Sequence, residues 1–139
     1  MTRYARFALI YALLALVGGV FYREFTKWMG FTGQTQLSVV HAHYFMLGMV
    51  FFLLLVLLEK SLHFTTATTP RLLLGYHVGL NLSVVMMLVR GITQAQAAPL
   101  TRGMDAALSG IAGLGHILLG VTLIALLWQI MRAAGRADR

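Results

Sequence analysis

The chain has no cysteine. That excludes disulfides, thiolate metal sites, a Cys nucleophile and haem attached covalently through Cys-x-x-Cys-His. Acidic residues are nearly as scarce, four in 139. Three of them, Glu24, Glu59 and Asp105, stand at the ends of apolar runs. Proton pumping usually relies on carboxylates inside the membrane, so pumping is not expected here. Charged residues of both signs make up only 11% of the chain, against roughly a quarter in a soluble domain.

What is present is apolar: 59% of residues, with a mean hydropathy of +0.80. The lipid bilayer is therefore the natural solvent. The length suits one domain, 1–139, since roughly 100–200 residues make one. Eleven Lys and Arg outnumber the acids, but they are scattered between apolar runs and form no basic block. No nucleic-acid surface is expected from that pattern.

A membrane-crossing helix needs about 20 mostly apolar residues. Four segments qualify, at about 4–22, 37–58, 72–89 and 106–131. The sequence thus predicts an all-α integral membrane four-helix bundle. The first run is too long for a signal peptide and lacks its small-residue cleavage pattern. Arg23, Glu24 and Lys27 stop the first span, Glu59 and Lys60 the second, and Arg90 with Gly91 the third. Pro70 opens the third, where its missing N–H costs little. Asp105 suits the cap of the fourth. Arg3, Arg6, Lys60, Arg71, Arg132, Arg136 and Arg139 fall on the side of the N-terminus, and Arg23, Lys27, Arg90 and Arg102 on the other. The excess predicts both termini in the cytoplasm, in a bacterial inner membrane.

Five histidines stand out against this background. His63 falls in a loop and reads as a solvated side chain. The other four lie within spans, where polar groups are costly and face a bundle interior, a partner or a cavity. His41 and His43 are two residues apart. On a helix that is a rotation of about 200°, so the two rings point to nearly opposite faces and serve separate partners. His116 enters from the same side, roughly 15 Å deep against roughly 9 Å for His43. His77 enters from the other side and is expected in the opposite leaflet. Around His116 the stretch "SGIAGLGHILLG" sets Gly113 and Gly120 on the same stripe. Small residues there allow close helix packing; equally, they leave room for a flat macrocycle, as Gly48 does after His43. Neutral imidazole ligates haem iron and also zinc or copper. Packing alone, with each histidine bonded to a neighbouring helix, is the competing reading.

The stretch "HAHYFMLGMVFF" resembles the His-x-His helix of haem–copper oxidase subunit I. In that family the first histidine holds the high-spin haem and the second the low-spin haem, which match His41 and His43 in position. The resemblance implies haem b held by His41 and His43; the small residues and depth of His116 make it the third candidate ligand. The resemblance also implies a homotrimer, because that subunit has twelve spans in three sets of four. The family's copper site needs three converging histidines, and no adjacent His-His pair exists here, so a complete copper centre is not expected. Arg23 and Arg90, on the outer side, are either plain interfacial anchors or a clamp on haem propionates. Arg90 with Glu24 or Asp105 is also a candidate ion pair. Along nearly its whole length, through "VFYREFTKWMGFTGQTQLSVVHAH", "MMLVRGITQ" and "SGIAGLGHILLG", the chain resembles a family of small four-span bacterial membrane proteins known as a domain of unknown function. The expected role is electron transfer or diatomic gas binding, with an unidentified redox partner. The alternative is a small non-haem channel, a carrier or a copper or haem assembly factor.

Overall fold

The computed structural model describes residues 1–137. Asp138 and Arg139, the latter counted in the charge tally above, lie outside the described residues. Four helices are long and apolar enough to cross a membrane: α1 (Thr2–Trp28), α2 (Leu37–Leu62), α3 (Thr69–Ala95) and α4 (Arg102–Ala137). The architecture is an all-α four-helix bundle of a multi-pass membrane protein. Each helix runs beyond its apolar segment, because backbone hydrogen bonding continues into the polar interface after hydropathy has fallen.

Helix α3 is the central one. Of its most apolar window 39% is buried, against 17–22% for the other three. Its buried residues include Leu73, Tyr76, Leu80 and Val84, a stripe at three- and four-residue spacing. Helix α1 offers Tyr4, Ala8, Tyr11 and Ala15 at the same spacing and packs along α2. Helix α4 packs along α3. Leu9, Leu13, Leu16 and Val20 of α1, and Leu114, Ile117, Val121 and Ile124 of α4, are exposed, as side chains bathed in lipid should be.

The α3–α4 crossing is set by glycine. A Cβ on Gly79 would lie 2.6 Å from the backbone nitrogen of Leu119, and one on Gly115 would lie 2.7 Å from Ser83 Oγ. Ser83 donates to the Gly79 carbonyl of its own helix at 2.9 Å, so its hydroxyl ties nothing across. Gln129 does: its amide donates to Thr68 Oγ1 at 2.7 Å, and its carbonyl accepts from Thr69 at 3.0 Å.

Helix α2 is not uniform. Regular α-helix at Leu37–His43 gives way to a π-helical stretch, Tyr44–Val50, and returns at Phe51–Leu62. Wide turns need specific support, because their hydrogen bonds are poorly aligned. Tyr11 of α1 fills the space a side chain at 48 would take, so a Cβ there would lie 2.5 Å from its ring. Tyr76 of α3 donates its hydroxyl to the Leu47 carbonyl at 2.7 Å.

Three expected boundaries move. Gly91 does not end α3, which continues to Ala95; a Cβ on Gly91 would lie 2.5 Å from the Leu37 nitrogen, so this glycine marks the approach of α2. The cap of α4 is Thr101, whose hydroxyl accepts the Met104 N–H at 3.2 Å. Asp105 sits in the first turn instead. His63, exposed, ends α2 in the left-handed conformation at φ 49°.

Candidate functional site

Helix α2 carries His41 and His43 to different neighbours, as the two-residue spacing requires. His41 lies against α1: a Cβ on Gly19 would sit 3.7 Å from its Cβ and 3.8 Å from its Cγ. Its Nδ1 is buried with no partner. His43 lies beside His116 of α4, with ring centres 6.4 Å apart and planes at 88°.

These two imidazoles are anchored alike. His43 Nδ1 is 2.8 Å from the Val39 carbonyl, and His116 Nδ1 is 2.8 Å from the Ala112 carbonyl. A carbonyl only accepts, so each Nδ1 carries the proton and donates one turn back along its own helix. Each Nε2 is then left as a lone pair. That tautomer is the one a metal ligand needs, its second nitrogen oriented by a backbone carbonyl. Around His116 the α4 surface is open: Gly113 and Gly120 have nothing within 4 Å of a built Cβ. Gly48 leaves no such room, because Tyr11 packs onto it.

The outer basic residues divide. Arg90 Nη2 donates to Asp105 Oδ1 at 2.7 Å, to Ser109 Oγ at 2.9 Å and to the Asp105 carbonyl at 3.2 Å. It is the ion pair that fastens α3 to the start of α4. Arg23 faces outward, 80% exposed, and lies 3.6 Å from Glu24 beside it. Among the described residues no three His, Cys, Asp or Glu side chains converge as a metal site. Removing the Arg90 partner with Asp105→Ala should cost less than about 1 kcal/mol, since the carboxylate is largely in water and two other acceptors remain. A melting temperature lowered by more than a few degrees would contradict this.

A second polar cluster centres on Asn81, a polar residue within a span of the kind that ties helices together. Tyr44 donates its hydroxyl to Asn81 Oδ1 at 3.0 Å; Asn81 Nδ2 donates to the Tyr11 oxygen at 3.0 Å and to the His77 carbonyl at 2.8 Å. The Tyr11 hydroxyl is 2.6 Å from His77 Nδ1. Helices α1, α2 and α3 are therefore joined by one run of side-chain hydrogen bonds. Tyrosine within a span was its signal, because a buried phenol finds a partner. Asn81→Leu should destabilise the fold by about 1–2 kcal/mol, since it strands the Tyr44 hydroxyl and takes a donor from both the Tyr11 oxygen and the His77 carbonyl. Tyr44→Phe should cost less, and unfolding in graded denaturant tests the order.

His77 lies at a different level of the bundle from His116. Gly115 meets Ser83 across the α3–α4 crossing, so His116 is level with about residue 82. His77 lies five residues away, roughly 8 Å along the helix.

At the end of the bundle where α1 gives way to α2, a polar cleft of about 530 Å³ is lined by residues that include Tyr22, Gln34, Gln36, Ser38 and Gln94. Its wall is held by Thr35, which donates to the Gly91 carbonyl at 2.7 Å, and by Gln94, which accepts from the Gln36 N–H at 2.8 Å.

No curated protein and no solved structure matches the chain. Comparison with protein families matches residues 1–133 to one described as Protein of unknown function (DUF2871). With four apolar helices and that match over nearly its entire length, the chain belongs to the DUF2871 family.

Proposed function

We propose that this protein binds b-type haem in the membrane, with His43 and His116 as axial ligands. The observation that carries the reading is the His43–His116 pair. Two imidazoles sharing an ion from opposite sides, each nitrogen about 2 Å from the metal, have ring centres roughly 6 Å apart; here the separation is 6.4 Å. Both Nδ1 atoms are committed to backbone carbonyls, which leaves both Nε2 atoms to ligate. The glycines beside His116 leave its helix face free for a flat ring.

Bound haem would supply a one-electron couple. The residues of this chain fix the imidazoles and hold an apolar surround that favours neutral ligands. With both axial positions taken, the role is electron transfer; were one ligand to leave, a diatomic gas would find a binding position. Kinship with one four-helix unit of haem–copper oxidase subunit I, assembly as a homotrimer, and an inner-membrane location with both termini in the cytoplasm belong to the same proposal. The alternative pairing in that trimer, His41 with His43 of a neighbouring subunit, would draw on His41, which is half-buried with its Nδ1 unpartnered. Arg23, exposed and only loosely paired with Glu24, is the better placed to meet propionates, whereas Arg90 is engaged by Asp105.

The test is an absorption spectrum of protein purified from haem-replete cells, oxidised and reduced. A Soret band that shifts on reduction is the expected result. A colourless but metal-containing sample would instead favour the non-haem carrier or assembly-factor reading. A colourless, metal-free sample would leave the histidines as packing groups.

A further inference from the structure

His77 is the mirror case of the proposed ligand pair. Asn81 spends both amide hydrogens, one on the His77 carbonyl and one on the Tyr11 oxygen. The Tyr11 hydroxyl must then give its own proton to the acceptor 2.6 Å away, His77 Nδ1. Neutral His77 therefore carries its proton on Nε2, and that nitrogen is buried without a partner. An unsatisfied buried donor is costly. This imidazole offers an N–H where His43 and His116 offer lone pairs.

Its surroundings say what it waits for. Two clefts in the groove between α1 and α3 meet at this ring. One, about 280 Å³, is lined by Phe7, Ile10, Tyr11, Leu14, His77 and Asn81. The other, about 190 Å³, runs past Phe7 and Leu73 to Arg3. Phe52 stacks on the imidazole at 4.9 Å, and Phe7 meets it edge-on at 4.4 Å. Leu14 and Ile10 are exposed on the apolar face of α1, so the groove is entered from lipid. An occupant must be lipid-soluble, must carry an oxygen acceptor and gains from a flat ring beside aromatic side chains.

We infer that the α1–α3 groove at His77 binds a membrane-soluble quinone, whose ring carbonyl accepts the hydrogen bond from His77 Nε2. Phe7, which borders both clefts, turns aside to admit it. The Tyr44–Asn81–Tyr11 run fixes the tautomer, so these three are positioning residues and His77 makes the contact.

The experiment is titration of decylubiquinone into the protein in nanodiscs. Saturable binding is expected, weakened about tenfold by His77→Phe, which keeps a ring and removes the donor. Leu14→Trp, filling the larger cleft without touching the imidazole, should weaken it similarly. Should His77→Phe fail to fold, Leu14→Trp and nitrogen-15 NMR of wild-type His77 still decide the matter. The NMR spectrum should show the Nε2-protonated tautomer, with the Nε2 resonance moving as quinone is added. Undiminished affinity in the variants, quinone that only partitions into the lipid, or a proton found on Nδ1 would each overturn the assignment. His43→Ala, aimed at haem, should leave quinone affinity unchanged, so the two readings stand or fall separately.

Discussion

His43→Ala and His116→Ala should each abolish stoichiometric haem in the purified protein. The basis is that among the described residues no third His, Cys, Asp or Glu converges with the pair to substitute for a lost imidazole. Loss of an outer-shell partner already lowers metal affinity by roughly 10–100-fold, and removing a direct ligand should cost more. Each variant should still fold, because the two rings contribute only their own i−4 hydrogen bonds to the structure. Haem content by pyridine haemochrome, read against protein recovered as a single species by size exclusion, separates loss of haem from loss of fold. His63→Ala should leave the spectrum untouched, since that side chain is exposed and caps a helix. His41→Ala discriminates further. If it strips haem while His116→Ala does not, pairing across subunits replaces pairing within the bundle.

The largest effect on stability should come from Gly79→Leu. A Cβ at this position meets the backbone nitrogen of Leu119 at 2.6 Å, its Cα at 2.9 Å and the Gly115 carbonyl at 3.0 Å. None of these is the end of a flexible side chain, so only a shift of one whole helix makes room. Overpacked sites ordinarily cost about 1–3 kcal/mol; a backbone-to-backbone crossing at the centre of the bundle belongs at or above the top of that range. Close approach is also a main source of helix association in lipid, where no hydrophobic force separates helix from solvent. The expected result is a melting temperature in detergent at least ten degrees lower, or no folded protein. Gly113→Leu, on the open face of the neighbouring helix, is the control. It should leave the melting temperature nearly unchanged, and, if a macrocycle lies against that face, lower haem content.

The spans were legible because insertion depends on summed hydropathy, which a sequence states directly. The opposite facing of His41 and His43 was legible too, because helical rotation fixes it locally. Depth and the small residues around His116 made it a candidate partner of His43, but a His41–His43 pairing between subunits stood beside it until the two rings were placed 6.4 Å apart. What the sequence did not disclose depends on partners far along the chain. Gly48 suggested room for a ring, yet Tyr11, thirty-seven residues earlier, occupies that room. Gly91 and Arg90 suggested a stop, yet the helix continues to Ala95, and the two residues instead meet Leu37 and Asp105 of other helices. The Tyr44–Asn81–Tyr11–His77 run needs three helices to be in place before any of its bonds exists.

The π-helical stretch Tyr44–Val50 has a consequence for the whole second helix. An α-helix advances about 100° per residue, whereas a wider turn advances less. The histidine end and the Phe52–Leu55 end thereby obey separate azimuths, as two shafts joined through a coupling. Deleting one residue from the coupling would let the segment relax to ordinary winding. Phe52 and Leu55, both fully buried, would then swing toward lipid, or His43 would turn away from His116. The sequence between the paired imidazoles and the core thus sets a phase, and its length is under tighter constraint than its composition.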